Sequence, residues 1–248
     1  MIGVIIQARQ GSTRLPGKMS LKFYKEYSIL ELIIKRIKKA LPDTKVILAT
    51  TTKKADDELC FVADKYEVPV FRGSESDVLD RFVQAAKQNN ITKIIRVCAD
   101  NPFIDMIALK ELIDTFNTKN LDYLSFETNK NIPVIKTHYG FWAEAVKLSA
   151  IESVKSSDKY DYYKEHVTNY IYEHANDYKI EFLPIPQYLI QEDIRLTIDT
   201  KKDFETAQAV FKEVGCDFDF SIKNVYDVVV SKKEWLNSMV NQINEQKK

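Results

Sequence analysis

The chain has 248 residues, of which 45% are hydrophobic and 29% charged, enough apolar material for a globular core. Its 36 Lys and Arg residues are matched by 36 Asp and Glu, so no global basic field exists to hold nucleic acid. No apolar run reaches bilayer length, and the short N-terminal apolar stretch is broken by Gln7 and Arg9 before it resembles a signal peptide, so a cytoplasmic location without membrane insertion is expected.

Residues 3–7 open the chain as a buried strand rich in Val and Ile. The run Gln7-Ala8-Arg9-Gln10-Gly11-Ser12-Thr13-Arg14-Leu15-Pro16-Gly17-Lys18 follows directly. Three cations, two glycines and hydroxyl side chains in one loop at a strand end are what a polyphosphate needs. Arginine grips phosphate through parallel hydrogen bonds, and lysine adds a compact charge. The loop is not a Walker A motif. The stretch from Gly11 to Gly17-Lys18 is one residue too long, Met19 stands where a magnesium-binding hydroxyl belongs, and Pro16 lacks an amide. Arg9, Arg14 and Lys18 are therefore expected to carry the phosphates.

A helix is predicted over 29–39, a strand over 45–51, a helix over 56–66 and a strand over 68–71. A helix over 77–88, a strand over 93–98, a helix over 107–118 and a strand over 123–126 continue the alternation. That rhythm reads as an α/β parallel sheet with helices on both faces. Beyond about residue 130 it changes: a turn at 130–133, a mixed segment at 138–142, a helical pattern over 143–153 and a tyrosine-rich polar stretch at 156–163. A short helix over 169–174, strands over 178–183 and 194–198, and helices over 202–211 and 233–246 complete the reading. The chain is expected to be a single domain, 1–248, with an excursion at about 130–190 that covers substrate and then returns a strand to the sheet.

In open α/β sheets ligands bind at the carboxyl ends of strands. Arg9 follows the first strand, Asp100 the 93–98 strand and Asp199 the 194–198 strand. Two carboxylates plus substrate phosphates suit a Mg2+ ion. The competing role for each is a helix N-cap, a common task for Asp and the more natural one for Asp199, which a helix follows. Cys60, Cys98 and Cys216 are odd in number and lack CxxC spacing, so buried thiols are expected rather than disulfides or a zinc site. Asp217-Phe218-Asp219 has the spelling of a glycosyltransferase metal motif but falls late in the chain, as a surface turn.

The loop 7–18, the segment 71–82, Asp100-Asn101-Pro102, Glu165-His166-Val167-Thr168 and Leu196-Thr197-Ile198-Asp199-Thr200 together resemble the cytidylyltransferase family, in its spore coat polysaccharide biosynthesis group. CMP-3-deoxy-manno-octulosonate and CMP-acylneuraminate synthetases are more distant relatives. The resemblance runs nearly end to end, including the C-terminal helix from Trp235 to Lys247. It implies a three-layer, Rossmann-like mixed sheet of the nucleotide-diphospho-sugar transferase type. It also implies CTP as donor, a sugar or sugar acid as acceptor, Mg2+, release of pyrophosphate and service in surface glycan synthesis. Relatives of this kind often dimerise.

By motif position, Arg14, Lys18 and Asp100 would be catalytic. Ala8, Arg9, Gly11, Ser12, Arg14, Lys18, Ser74, Asp77 and Arg81 would line the nucleotide, and Asp100 and Asp199 would hold the metal. His138, Glu165, His166 and Thr168 are the acceptor candidates; for Glu165 a helix start is the level alternative. One departure stands out. Relatives of the spore coat type carry Asp-x-Glu entering a strand before a helix, and His138 and Gly140 occupy the acidic positions here. Ala99, where relatives often have glycine, is a second. A glycosyltransferase on a similar fold, or a nucleotide-binding module without turnover, are the alternatives. The arginine-rich loop suits a triphosphate better than a diphosphate sugar.

Overall fold

The structure is a computed structural model that describes residues 1–157, 159–189, 193–214 and 218–246. In chain order come β1 (Ile2–Gln7), the small hairpin β2 (Lys22–Tyr24) and β3 (Tyr27–Ser28), α1 (Ile29–Ala40), β4 (Lys45–Thr51) and α2 (Asp57–Lys65). Then follow β5 (Val70–Gly73), α3 (Val78–Gln88), β6 (Lys93–Cys98), α4 (Met106–Thr118) and β7 (Tyr123–Glu127). The later part holds β8 (Glu144–Lys147), α5 (Leu148–Lys155), α6 (Tyr160–Tyr163), α7 (Asn169–Glu173), β9 (Ile180–Pro184), α8 (Lys201–Glu213), α9 (Ile222–Ser231) and α10 (Lys233–Gln246).

Helix starts are written in the sequence. Ser28 and Glu31 form a reciprocal capping box at α1, Asp105 caps α4, and Thr200 with Asp203 caps α8. The main sheet has seven strands in the order β5-β4-β1-β6-β8-β7-β9. All its pairings are parallel except those of β8, which runs antiparallel to both β6 and β7. Strand alternation divides the core: Val4 and Ile6 face the layer containing α1, α4 and α8, while Ile5 faces the layer containing α3 and α5. Three layers result. In the β1 ladders Gln7 lies opposite Ala49 and Cys98, so β1, β4 and β6 end together. Everything that leaves those strands meets at one edge of the sheet.

The sheet is therefore mixed, as the family resemblance implies, and β8 is the strand that departs from the parallel rhythm. The stretch read as one helix over 143–153 is strand β8 followed by α5. Its helix-forming residues yield to sheet pairing, because Ala145 and Val146 fill the two opposite core faces between β6 and β7. Among the described residues, the stretch 194–198 joins no strand. It crosses the end of the sheet, and the amides of Leu196 and Ile198 donate to the carbonyls of His138 and Asp100 (2.9 Å each). The returning strand is β9, beside β7. Helix α9, signalled by Ser221 three residues before Asn224, was not foreseen. Cys60 and Cys98 are free and partly buried. Cys216, Asp217 and Lys247 lie outside the described residues, and Asp219 pairs with Lys39 at the surface. Among the described residues, no helix is long and apolar enough to cross a membrane.

Candidate active site

The loop after β1 is anchored from beneath. The Gln10 amide donates to Asp56 Oδ1 at 2.7 Å, and Thr50 and Thr51 donate to the other oxygen. Asp56 is 1% exposed. Burial alone would lift its carboxyl, but the bonds from Thr51, Gln10 and Thr50 outweigh that and hold it below its ordinary 3.8. Ser12 Oγ accepts from the Leu15 amide at 3.3 Å, and Gly17 takes a positive φ of 70° to close the turn. At Gly11 a Cβ would lie 2.6 Å from Glu75 Oε1, so any larger residue would have to displace the end of that side chain. The loop walls a cavity of about 320 Å³ lined by Ala8, Arg9, Gly11, Ser12, Arg14 and Lys18, with Arg96, Asp100 and Asp199 opposite.

Lys18 stands at the centre. Its ammonium donates to the Ile198 carbonyl at 2.6 Å and lies 3.6 Å from Asp100 and 3.8 Å from Asp199. The two carboxylates thus converge on one cation. Arg14 Nη2 approaches Asp199 at 3.2 Å. Asp105 and Thr200 cap the neighbouring helices, which leaves Asp100 and Asp199 free of the capping role that competed for them. Two hard oxygen donors around a common positive position fit a magnesium ion that takes its other ligands from phosphate and water. Among the described residues, no group of three or more His, Cys, Asp or Glu forms a complete metal cage.

Asp199 is held by a buried arginine. Arg195 donates to Asp203 through Nε (2.7 Å) and Nη2 (3.0 Å), and to Asp199 Oδ2 through Nη2 at 2.9 Å. The side chains of Arg195 and Asp203 are 0% and 1% exposed. Burial works against both charges, but their mutual bonds prevail, raising the guanidinium and lowering the carboxyl. The remaining Arg195 nitrogen, Nη1, lies 2.8 Å from His138 Nδ1. Arginine can only donate, so His138 accepts at Nδ1 and carries its proton on Nε2.

A second cavity of about 480 Å³ adjoins the first, and Cys98, Asp100 and Asp199 line both. Asn101, Lys136, His138, Gly140, Trp142, Glu144 and His166 line the rest of it. Glu165 is exposed and does not line it. Thr168 is fully buried and turns to Glu144, to which it donates at 3.1 Å. Tyr123 donates to the same carboxylate, and Arg96 pairs with it at 2.5 Å while reaching Gln7 at 3.3 Å. The strand that precedes a helix here is β8, which begins at Glu144. His138 and Gly140 line this cavity a few residues before it.

Ser74, Asp77 and Arg81 line neither cavity. Ser74 Oγ accepts from the Asp77 amide, and Asp77 caps α3 and accepts from Tyr160. Arg81 is fully buried and donates to the Ser74 carbonyl at 2.6 Å. Burial, with Arg9 nearby, pushes its guanidinium down to about 10. This strip meets the loop through Arg9, whose Nη1 reaches the Glu75 carbonyl at 3.5 Å, and through Glu75 against Gly11. Asp56, Arg96, Glu144, Arg195 and Asp203 were not singled out from the sequence. A charged residue inside an apolar strand, as Arg96 is, was the one usable signal.

A family model described as cytidylyltransferase matches residues 3–244. An uncharacterised protein of Methanocaldococcus jannaschii is 41% identical over 81% of this chain and 79% of its own length. The spore coat polysaccharide biosynthesis protein SpsF of Bacillus subtilis is 35% identical over 85% of this chain and 86% of its own. A solved cytidylyltransferase structure from Leptospira borgpetersenii superposes with a TM-score of 0.83 at 32% identity, covering 95% of this chain and 96% of that one.

Proposed function

The chain belongs to the cytidylyltransferase family, and we propose that it transfers CMP from CTP to a hydroxyl of a sugar or sugar acid, releasing pyrophosphate, in surface glycan synthesis. The observation that carries this reading is the pair of adjoining cavities. One is walled by a cationic loop, the other by a polar excursion, and Asp100 and Asp199 stand on their boundary. A donor on one side and an acceptor on the other would meet between those carboxylates.

Arg9, Arg14 and Lys18 would hold the β- and γ-phosphates and take up charge as pyrophosphate departs. Ala8 and Gly11 would let the backbone approach the nucleotide. The acceptor oxygen would bond to the α-phosphorus as the bridge to the β-phosphate breaks, and its proton would pass to a carboxylate or to solvent. The gain comes from alignment and charge neutralisation, without a covalent enzyme intermediate. Asp100 and Asp199 would hold Mg2+, which when bound supplies further positive charge to the phosphates. Arg195 would keep Asp199 aimed, and Asp56 would keep the loop in place. Ser74, Asp77 and Arg81 would support the loop from outside, and Thr168 would act through Glu144. The same reading takes 1–248 as one nucleotidyltransferase unit whose residues 130–190 cover the acceptor, working in the cytoplasm as a homodimer.

A thermal-shift screen of CTP, UTP, ATP and GTP, each with and without Mg2+, tests the donor. Stabilisation by CTP with Mg2+, followed by pyrophosphate release with a panel of sugars and sugar acids, is the expected outcome. Stabilisation by a different nucleotide alone would overturn the cytidylyl assignment, and no release with any acceptor would overturn the transfer.

A further inference from the structure

The last residue of β1 carries an amide with one end fixed and the other open to the loop cavity. Gln7 Oε1 accepts from Arg96 Nη2 at 3.3 Å, and Arg96 Nη1 in turn pairs with Glu144 at 2.5 Å. The side chains of Arg96 and Glu144 are 12% and 4% exposed, so the guanidinium is held in place beside Gln7. Arginine can only donate, so the amide cannot flip: its oxygen faces Arg96 and its NH2 points the other way. Among the described residues that Nε2 donates to nothing, and unlike Arg96 Nε it is not sealed off by packing. Gln7 is half-buried and lines the cavity walled by the cationic loop.

Gln7 lies opposite Cys98 in the ladder of β1 and β6. Cys98 and Asp100 line both cavities, whereas Gln7 lines only the one on the cationic side. Its NH2 therefore stands on the donor side of the boundary at which the two substrates meet in the transfer reading given above, on which this inference rests. The donor group at that boundary is the α-phosphate. We propose that Gln7 donates a hydrogen bond to a non-bridging oxygen of the α-phosphate, with Arg96 as the positioning residue that orients it. Charge explains the division of labour. Arg9, Arg14 and Lys18 draw on the pyrophosphate that leaves, while a neutral amide holds the phosphate that stays without competing for the leaving group. The same bond keeps the α-phosphorus in line between the incoming oxygen and the departing one.

The test uses the whole chain with Mg2+ and no acceptor. CTP, pyrophosphate and the two diastereomers of CTP that carry sulfur at one α-oxygen are titrated by calorimetry, and pyrophosphate release is then measured with a panel of sugars and sugar acids. Gln7→Leu is expected to weaken CTP roughly tenfold and to leave pyrophosphate unchanged, since a hydrogen bond to a charged group is lost at the α-phosphate alone. Sulfur accepts weakly, so one diastereomer should bind the unaltered chain less well than CTP does, and Gln7→Leu should lose that difference. Gln7→Glu keeps the shape and an oxygen for Arg96 but replaces the donor with a charge, and a larger loss on CTP is expected. Arg96→Lys keeps a cation for Glu144 without the second nitrogen that fixes the amide, and the pattern of Gln7→Leu at reduced size is expected. This pattern without pyrophosphate release from any acceptor supports the Gln7 contact and breaks the transfer reading. Release with CTP affinity and both sulfur effects unchanged in Gln7→Leu overturns the contact and leaves the transfer reading standing. A loss that falls equally on pyrophosphate also overturns the contact, and no binding of CTP by the unaltered chain overturns both.

Discussion

The wall of the cleft after β1 carries its cations on an irregular loop, with Arg9 and Arg14 exposed and one buried carboxylate, Asp56, holding the backbone beneath them. The opposite wall, from residue 134 to Asp199, is fixed by buried charge. Arg195 spans Asp203, Asp199 and His138, while Arg96 and Thr168 hold Glu144. The loop wall thus has long side chains whose reach can adapt to a flexible triphosphate. The other has positions set before any ligand arrives, as recognition of a compact acceptor demands. The difference lies in burial. An exposed arginine loses little when unpaired, whereas a buried one must find its partners to be tolerated.

The sharpest way to break this contrast is Arg195→Met, which strands Asp203 and frees Asp199. A loss of about 3–5 kcal/mol in urea unfolding is expected, together with loss of turnover. Arg195→Met combined with Asp203→Leu should recover much of the stability but none of the turnover. Recovery of both would mean that the network serves only the fold. Asp100→Asn comes next: pyrophosphate release is expected to fall by more than about 100-fold with the melting temperature unchanged, because this carboxylate is partly exposed and its ion partner is Lys18. Wild-type turnover in that variant would move the metal elsewhere. On the loop wall, Arg14→Ala should weaken CTP by about 1.5 kcal/mol or more in a calorimetric titration, with the fold intact. Unchanged affinity would remove Arg14 from the phosphate site.

The smallest effect is on pH dependence. Asp56 is held below 3.8 in the folded chain, so its contribution to stability is complete above the unfolded value and fades as pH falls through the folded one. Asp203 acts in the same sense. Asp56→Asn should therefore flatten the decline of stability below about pH 4, measured by urea unfolding across that range. An equally steep decline would place the acid sensitivity in the other carboxyls held low, Asp203, Glu31, Asp80 and Asp122.

The first half of the fold and the loop wall were legible in the sequence. Each depends on neighbours close in the chain: Val and Ile runs make strands, Ser28 and Asp105 start helices, and one twelve-residue loop holds all three phosphate candidates. The cytidylyl assignment was legible too, through motifs that stay contiguous. The acceptor wall was not. Residues 144–147 read as helix because their propensity is helical, and only the gap between β6 and β7 makes them a strand. Residues 194–198 read as a strand because Ile194, Leu196 and Ile198 alternate, yet among the described residues they bond to the loop carbonyls of His138 and Asp100 rather than to a strand. Asp199 was found from the chain, and Arg195 lies four positions from it, but that Arg195 also holds His138 and that Arg96, Tyr123 and Thr168 gather on Glu144 are contacts across 21 to 57 positions of sequence. Local pattern fixes the period of an element and the chemistry of a contiguous loop. Which buried charges meet is decided only when the layers close and every buried group must find a partner.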